Sequence, residues 1–118
     1  MIPLSIDTEQ HGATTLLRLR GDLELNTAPG LREALVRAID EGRRIVVDME
    51  AVDFLDSAGL GILVGGLKRA RERDGDLQLI CSSRAVLRPL QLTGLDRAFT
   101  IHAGREDALE GPATEPQT

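Results

Sequence analysis

Residues 44–67 read RIVVDMEAVDFLDSAGLGILVGGL, and they are the clearest indication of the fold class. The stretch opens with the β-branched run Ile45-Val46-Val47, which is typical of a central strand buried on both faces. After an acidic segment, apolar residues recur at helical spacing to about Asp74, and basic residues stand in the last turns. A buried strand that leads into an amphipathic helix indicates an α/β fold.

The rest of the chain continues this alternation of strands and helices. Residues 15–20 alternate as a half-buried strand, residues 4–7 alternate more weakly, and residues 11–13 are predicted to form the turn between them. Helix one is predicted to begin at an N-cap hydroxyl on Thr27 and to end at Gly42. The later predicted elements are a strand over 77–81, a helix over 84–93 capped by Ser83, and a strand over 99–101.

The predicted architecture is one α/β domain with a mixed central sheet that opens with a hairpin and is flanked by three to four helices. A length of 118 residues fits one such domain. We expect the domain to cover residues 1–104. Residues 105–118 are expected to be a short C-terminal helix, over 105–109, or a disordered acidic and proline-containing tail from Gly111.

Composition argues against several classes of function. The net charge of −5 has the wrong sign for nucleic-acid binding, and the two aromatic residues, Phe54 and Phe99, offer no stacking platform for bases. A single cysteine, Cys81, and two histidines far apart in sequence predict neither a disulfide nor a metal site, and no cofactor is expected. The apolar stretches are far shorter than the roughly 20 residues that cross a bilayer, and the start lacks a signal-peptide pattern. We therefore expect a cytoplasmic protein without membrane insertion.

The segment around Ser57 allows enzymatic and structural interpretations. A serine nucleophile elbow needs glycine two residues before the serine, but position 55 is leucine, which disfavours a hydrolase. The glycines of residues 59–66 do not follow the spacing of a dinucleotide or phosphate loop. They are better explained as small residues that let helix two pack closely on the sheet or on a neighbouring helix. The structural interpretation of Ser57 is an N-cap of that helix.

Three segments of the chain resemble STAS-domain anti-sigma factor antagonists. Residues 47–65 resemble the phosphoacceptor segment of that family. Residues 21–29, GDLELNTAP, are similar to its Gly-Glu-(Ile/Leu)-Asp turn before helix one, and residues 92–99, LTGLDRAF, are similar to its exit from the third helix. The three segments occur in the family order and frame nearly the whole chain apart from its tail.

The resemblance implies a binding module without a catalytic role. Members of the family bind an anti-sigma factor, usually a serine kinase with a histidine-kinase-like ATP fold, and so free the sigma factor. Ser57 matches the serine that this kinase phosphorylates to end binding, and a metal-dependent serine phosphatase then restores the unphosphorylated form. The alternative is a STAS adaptor or scaffold subunit of a signalling or lipid-transport complex, which would use the same surface without phosphorylation.

The resemblance also implies a partner-binding surface, at the end of the sheet where the first two helices begin. Its expected members are Asp22, Glu24, Asn26, Thr27, Asp56, Ser57, Gly59, Leu60 and Gly61, with Leu25 at its border. Leu60 is either an exposed apolar contact on the face of Ser57 or a core residue. Gly59 and Gly61 would give the partner access to the backbone.

Three positions depart from the family pattern. Glu24 stands where the family usually carries the shorter aspartate. Ala58 stands where many relatives carry a second hydroxyl residue, which leaves Ser57 to act alone. Pro89 lies inside the third predicted helix, where it removes a backbone donor and is expected to bend or split the helix near Ala85.

Overall fold

The computed structural model describes residues 2–42 and 44–114, which form one five-stranded sheet with helices on both faces. In chain order the elements are β1 (Ser5–His11), β2 (Thr14–Leu23), α1 (Ala28–Asp40), β3 (Arg44–Leu55), α2 (Ser57–Glu72), β4 (Leu77–Ile80), α3 (Arg84–Leu92), a 3₁₀ turn (Leu95–Arg97), β5 (Ile101–His102) and α4 (Arg105–Thr114). The predicted α/β class, with its opening hairpin and flanking helices, is confirmed.

The strands lie side by side in the order β1-β2-β3-β4-β5. β1 and β2 pair antiparallel around Gly12, whose φ of +62° favours glycine, and the other neighbouring strands are parallel. The run Ile45-Val46-Val47 lies on β3 at the centre of the sheet, and all three side chains have 0% exposure. The prediction of a central strand buried on both faces is therefore confirmed.

The two faces of the sheet are covered unequally. Helices α1, α2 and α3 pack on one face through a large apolar core that includes Leu31, Leu35, Leu63, Leu67, Val86 and Leu90. The other face carries a small cluster, formed by Leu16, Val46 and Ile80 with Ala108 of α4. Because β2 and β3 run parallel, the helices that follow them both begin at the same edge of the sheet. This edge carries the candidate site.

β3 is longer than its sequence pattern predicts. In the sequence the run Ile45-Val46-Val47 is followed by an acidic segment, whereas the strand continues through that segment to Leu55. Two register shifts against β2 interrupt the regular alternation, so that Met49, Val52 and Leu55 all enter the same core at a spacing of three. The bulges hide the second half of the strand from a search for period two, and they place Leu55 directly opposite Leu23 at the end of β2.

Other predicted boundaries also change. His11 belongs to β1 and pairs with Thr14, so the hairpin turn is shorter than expected. The last strand begins at Ile101, two residues after Phe99. The C-terminal helix continues to Thr114 instead of giving way to a disordered tail at 111. Residues 115–118 of the expected tail lie outside the described part of the chain.

Pro89 does not split α3, which is one of the two effects expected of it. The helix runs without a break from Arg84 to Leu92. The proline removes one intrahelical donor, but Val86 and Leu90 on either side of it are fully buried and hold both halves against the core. The hydroxyl of Thr93 adds a hydrogen bond of 2.8 Å to the Pro89 carbonyl.

The close approach of α2 to its neighbours depends on Gly66. A Cβ atom at this position would lie 2.9 Å from Cδ1 of Leu77 and 3.0 Å from Cδ1 of Leu35. These leucines belong to β4 and α1, so the glycine lets the helix pack against the sheet and the neighbouring helix at once. The interpretation of small residues in helix two as packing residues is confirmed at this position.

We expect Gly66→Ala to lower the free energy of unfolding by about 1–3 kcal/mol, because the added methyl group overpacks the core. Gly65→Ala is the matched control, since a Cβ there meets no atom within 4 Å. It should leave stability unchanged or raise it by up to about 1 kcal/mol through better helix propensity. Urea unfolding followed by far-ultraviolet circular dichroism measures both, as the chain has no Trp or Tyr. Equal stabilities of the two variants would contradict this account of the packing.

Candidate functional site

Asp56 joins the two structural elements that meet at the site. It follows β3 directly and is the N-cap of α2, with its Oδ1 accepting a hydrogen bond of 3.0 Å from the Gly59 amide. Its Oδ2 accepts a second hydrogen bond, also of 3.0 Å, from the Leu25 amide in the loop between β2 and α1. The strand ends are tied as well, because the Asp56 amide donates to the Leu23 carbonyl at 3.2 Å.

Ser57 is the first residue of α2 and is exposed. The structural interpretation of Ser57 as the N-cap is wrong, because the carboxylate of Asp56 occupies that position. Within the described residues the Ser57 hydroxyl makes no hydrogen bond. The serine is thus relieved of capping, and its oxygen faces solvent at the start of a helix whose first amide groups have no intrahelical partner.

The loop before α1 is held from inside by Thr27 and Glu24. The Thr27 hydroxyl donates to the Asp22 carbonyl at 2.8 Å and accepts from the Glu24 amide at 2.9 Å. Thr27 stands at the N-cap position of α1, but its side chain makes no capping bond to the helix, contrary to prediction. The Glu24 side chain is 5% exposed and accepts from the Asn26 amide at 3.0 Å. Asn26 itself is exposed.

Asp22 is buried and anchors the chain that precedes β1. Its carboxylate accepts from the Ile2 amide at 3.1 Å, and its own amide donates to the Ile2 carbonyl at 3.2 Å. The preceding Gly21 has a φ of +111°, and a Cβ there would lie 2.1 Å from the Pro3 carbonyl oxygen. A side chain at position 21 would push this segment away.

Of the residues expected after Ser57, Gly61 is exposed and the other two are buried. Leu60 belongs to the main core, which confirms the interpretation as a core residue and excludes the exposed contact. A Cβ on Gly59 would lie 2.9 Å from the Leu23 carbonyl oxygen, so this glycine allows close packing on β2 instead of giving access to the backbone.

Sequence reasoning missed one exposed residue beside the site. Phe54 is 47% exposed, although an aromatic residue between Val52 and Leu55 looks like part of a buried strand. The pattern that could have revealed it is the spacing of three between those two core residues, which leaves both positions between them facing outward. Leu25, expected at the border of the surface, is 68% exposed.

The other chemistry of the described residues is sparse. Burial, together with the charge of Glu50, raises the pKa of the Cys81 thiol to about 11, so the thiol is a poor nucleophile at neutral pH. No group of three or more histidine, cysteine, aspartate or glutamate side chains in residues 2–42 and 44–114 is arranged to hold a metal ion. Nor is any described helix long and apolar enough to cross a membrane.

The chain belongs to the STAS domain family, which matches residues 5–108. It is 33% identical over 104 residues to an anti-sigma-B factor antagonist of Staphylococcus aureus, covering 87% of this chain and 96% of that protein. Its fold is similar to the crystal structure of an anti-sigma factor antagonist from Mycobacterium paratuberculosis, with a TM-score of 0.85, 29% identity and 92% of each chain covered. It is also similar to the anti-sigma factor antagonist SpoIIAA in its unphosphorylated form, with a TM-score of 0.79, 25% identity, and 92% of this chain and 96% of that chain covered. The family resemblance seen in the sequence is confirmed.

Because Asp56 and not Ser57 caps α2, alanine variants of these two adjacent residues are expected to differ in stability. Asp56→Ala removes acceptors for the Gly59 and Leu25 amides, and we expect it to lower the free energy of unfolding by about 1–2 kcal/mol. Ser57→Ala removes no protein hydrogen bond and should change stability by less than about 0.5 kcal/mol. Urea denaturation of both variants measures the difference. If Ser57→Ala lowered the free energy of unfolding as much as Asp56→Ala, Ser57 and not Asp56 would be the N-cap.

Proposed function

We propose that this chain is an anti-sigma factor antagonist that binds a kinase-type anti-sigma factor, releases a sigma factor, and is switched off by phosphorylation of Ser57. The observation that carries the proposal is the exposed Ser57 hydroxyl at the first residue of α2, free of any structural hydrogen bond to the described residues. The similarity to anti-sigma factor antagonists supports an anti-sigma factor as the partner. The chain acts by binding and not as an enzyme.

The surroundings of Ser57 favour a phosphate that alters the surface without unfolding the protein. A phosphate adds about −1.5 to −2 charges, next to the carboxylates of Asp53 and Asp56. In the folded chain, the amide groups and the dipole of the first turn of α2 stabilise this added charge. A partner that covers the surface must instead remove water from the charged phosphate, which costs free energy. Phosphorylation therefore weakens association.

The remaining site residues divide into a supporting group and a contacting group. Asp22, Glu24 and Thr27 are internally bonded and hold the loop before α1 in shape. Asn26 and Gly61 are exposed together with Ser57 and are available to a partner. A metal-dependent serine phosphatase would act on the same exposed position to restore binding.

The test is phosphate transfer to this chain by a kinase-type anti-sigma factor with Mg-ATP, followed by intact-mass analysis. We expect the wild type to gain one phosphate and Ser57→Ala to gain none. Ser57→Asp, which carries part of the added charge, should weaken binding at least about tenfold. Ser82→Ala is the matched control, because Ser82 is also exposed but its hydroxyl donates to Glu50 at 3.0 Å.

Two results would contradict the proposal in different ways. A phosphate that persists in Ser57→Ala would place the acceptor elsewhere in the chain. Stable binding to a larger complex that neither adds a phosphate nor responds to Ser57→Asp would favour the adaptor function in its place.

A further inference from the structure

Three of the exposed large apolar side chains of the described residues lie around the same two strand ends. The set of such side chains comprises Ile2, Leu25, Phe54 and Leu92, with exposed fractions of 50%, 68%, 47% and 72%. Ile2 is bonded to Asp22, which pairs with Phe54 across β2 and β3. The amide of Leu25 is bonded to Asp56. Leu92, in contrast, ends α3.

Two carboxylates hold the backbone beneath this group of side chains. Asp22 accepts the amide hydrogen of Ile2, and Asp56 accepts that of Leu25. The contact of Gly21 with Pro3 presses the first segment onto β2. Apolar side chains on a backbone that is already ordered lose less entropy when they bind, which favours association.

We propose that Ile2, Leu25 and Phe54 form an apolar contact surface that enters an apolar pocket of the anti-sigma factor, with Asp22 and Asp56 as positioning residues beneath it. The inference rests on the proposed function and deepens it. The partner must present an apolar pocket, and Asp22 and Asp56 hold the apolar surface of this chain in position to enter it.

The charges around the surface narrow the chemistry of the partner. Residues 21–31 and 45–67 contain no lysine or arginine, and Asp53 beside Phe54 is an exposed acid. A partner with carboxylates at the rim of its pocket would be repelled. The matching surface is therefore apolar, with no carboxylate facing Asp53. A phosphate on Ser57 would have to be desolvated next to this contact, which accounts for the loss of binding.

Alanine variants measured against the unphosphorylated protein test the contact surface. The measurement is the Kd for the kinase-type anti-sigma factor, without ATP. We expect Leu25→Ala and Phe54→Ala each to weaken binding about tenfold or more, and Ile2→Ala to weaken it less. Leu92→Ala removes an equally exposed apolar side chain outside the surface and should stay within about twofold of wild type.

Asp56→Asn separates positioning from capping. The amide oxygen can still accept from Gly59, and asparagine caps helices as well as aspartate does. The amide nitrogen would face the Leu25 N–H, donor against donor, and release the loop. We expect a smaller loss of stability than in Asp56→Ala, faster hydrogen exchange at the Leu25 amide by NMR, and weaker binding. A residue that only caps the helix would leave the Leu25 exchange rate unchanged.

The outcomes distinguish failure of the contact surface from failure of the proposed function. If the wild type binds and the triple variant Ile2→Ala, Leu25→Ala, Phe54→Ala binds equally well, the contact surface is overturned while the function stands. An equal loss for Leu92→Ala also overturns it, because any exposed apolar group would then serve. If the wild type binds no kinase-type anti-sigma factor of its organism, the proposed function fails and this surface fails with it.

Discussion

The carboxylate of Asp56 is the interaction on which the functional end of this molecule depends. Each of its oxygens accepts one main-chain amide, one from the first turn of α2 and one from the loop before α1. Hydrogen bonds to an ionised carboxylate are roughly twice as strong as neutral ones. The same side chain thus starts a helix and sets its position relative to a loop of another βα unit. Because Asp56 does both, the fold does not depend on the Ser57 hydroxyl. A residue that supports the fold therefore stands beside one whose side chain can be modified.

Carboxylate–amide hydrogen bonds, and not ion pairs, build this edge of the sheet. Asp22 and Glu24 follow the same principle as Asp56, since each is buried and accepts a main-chain amide. A buried carboxylate is costly unless it is hydrogen-bonded, and these bonds remove most of that cost. The observed ion pairs lie elsewhere, as between Arg69 and Asp40 or Arg18 and Glu9. Salt screens such exposed pairs far more than short internal hydrogen bonds, so the shape of the site is insulated from ionic strength.

The sequence predicted the helices and strands well where their hydrophobic periodicity was strong. It failed where the structure depended on which single residue caps a helix. Ile45-Val46-Val47 and the stripe of α2 gave the central strand and its helix because burial imposes those patterns. The cap could not be predicted, since aspartate and serine are equally good N-caps and the choice depends on where β3 ends. That end was hidden by the bulges that break the alternation.

The contents of the site were predicted in outline, from motif resemblance, but not in their exposure. One residue of shift turns a helix by about 100°, so the start of α2 also decides that Leu60 faces the core. Glu24 was expected at the partner-binding surface from the family resemblance, and charged residues are rarely buried. Its burial depends on a bond to an amide two residues away, which leaves no trace in composition or spacing.

The strand order bears on how the chain reaches this structure. Every strand after β1 pairs with the strand that precedes it in the chain. No strand has to wait for a partner beyond its neighbour in the chain, so each pairing closes only one intervening turn or helical connection. The sheet can therefore grow from the first hairpin by adding one unit at a time, in the order in which a ribosome releases the chain. The small cluster that contains Ala108 can be completed only when the C-terminal helix is available.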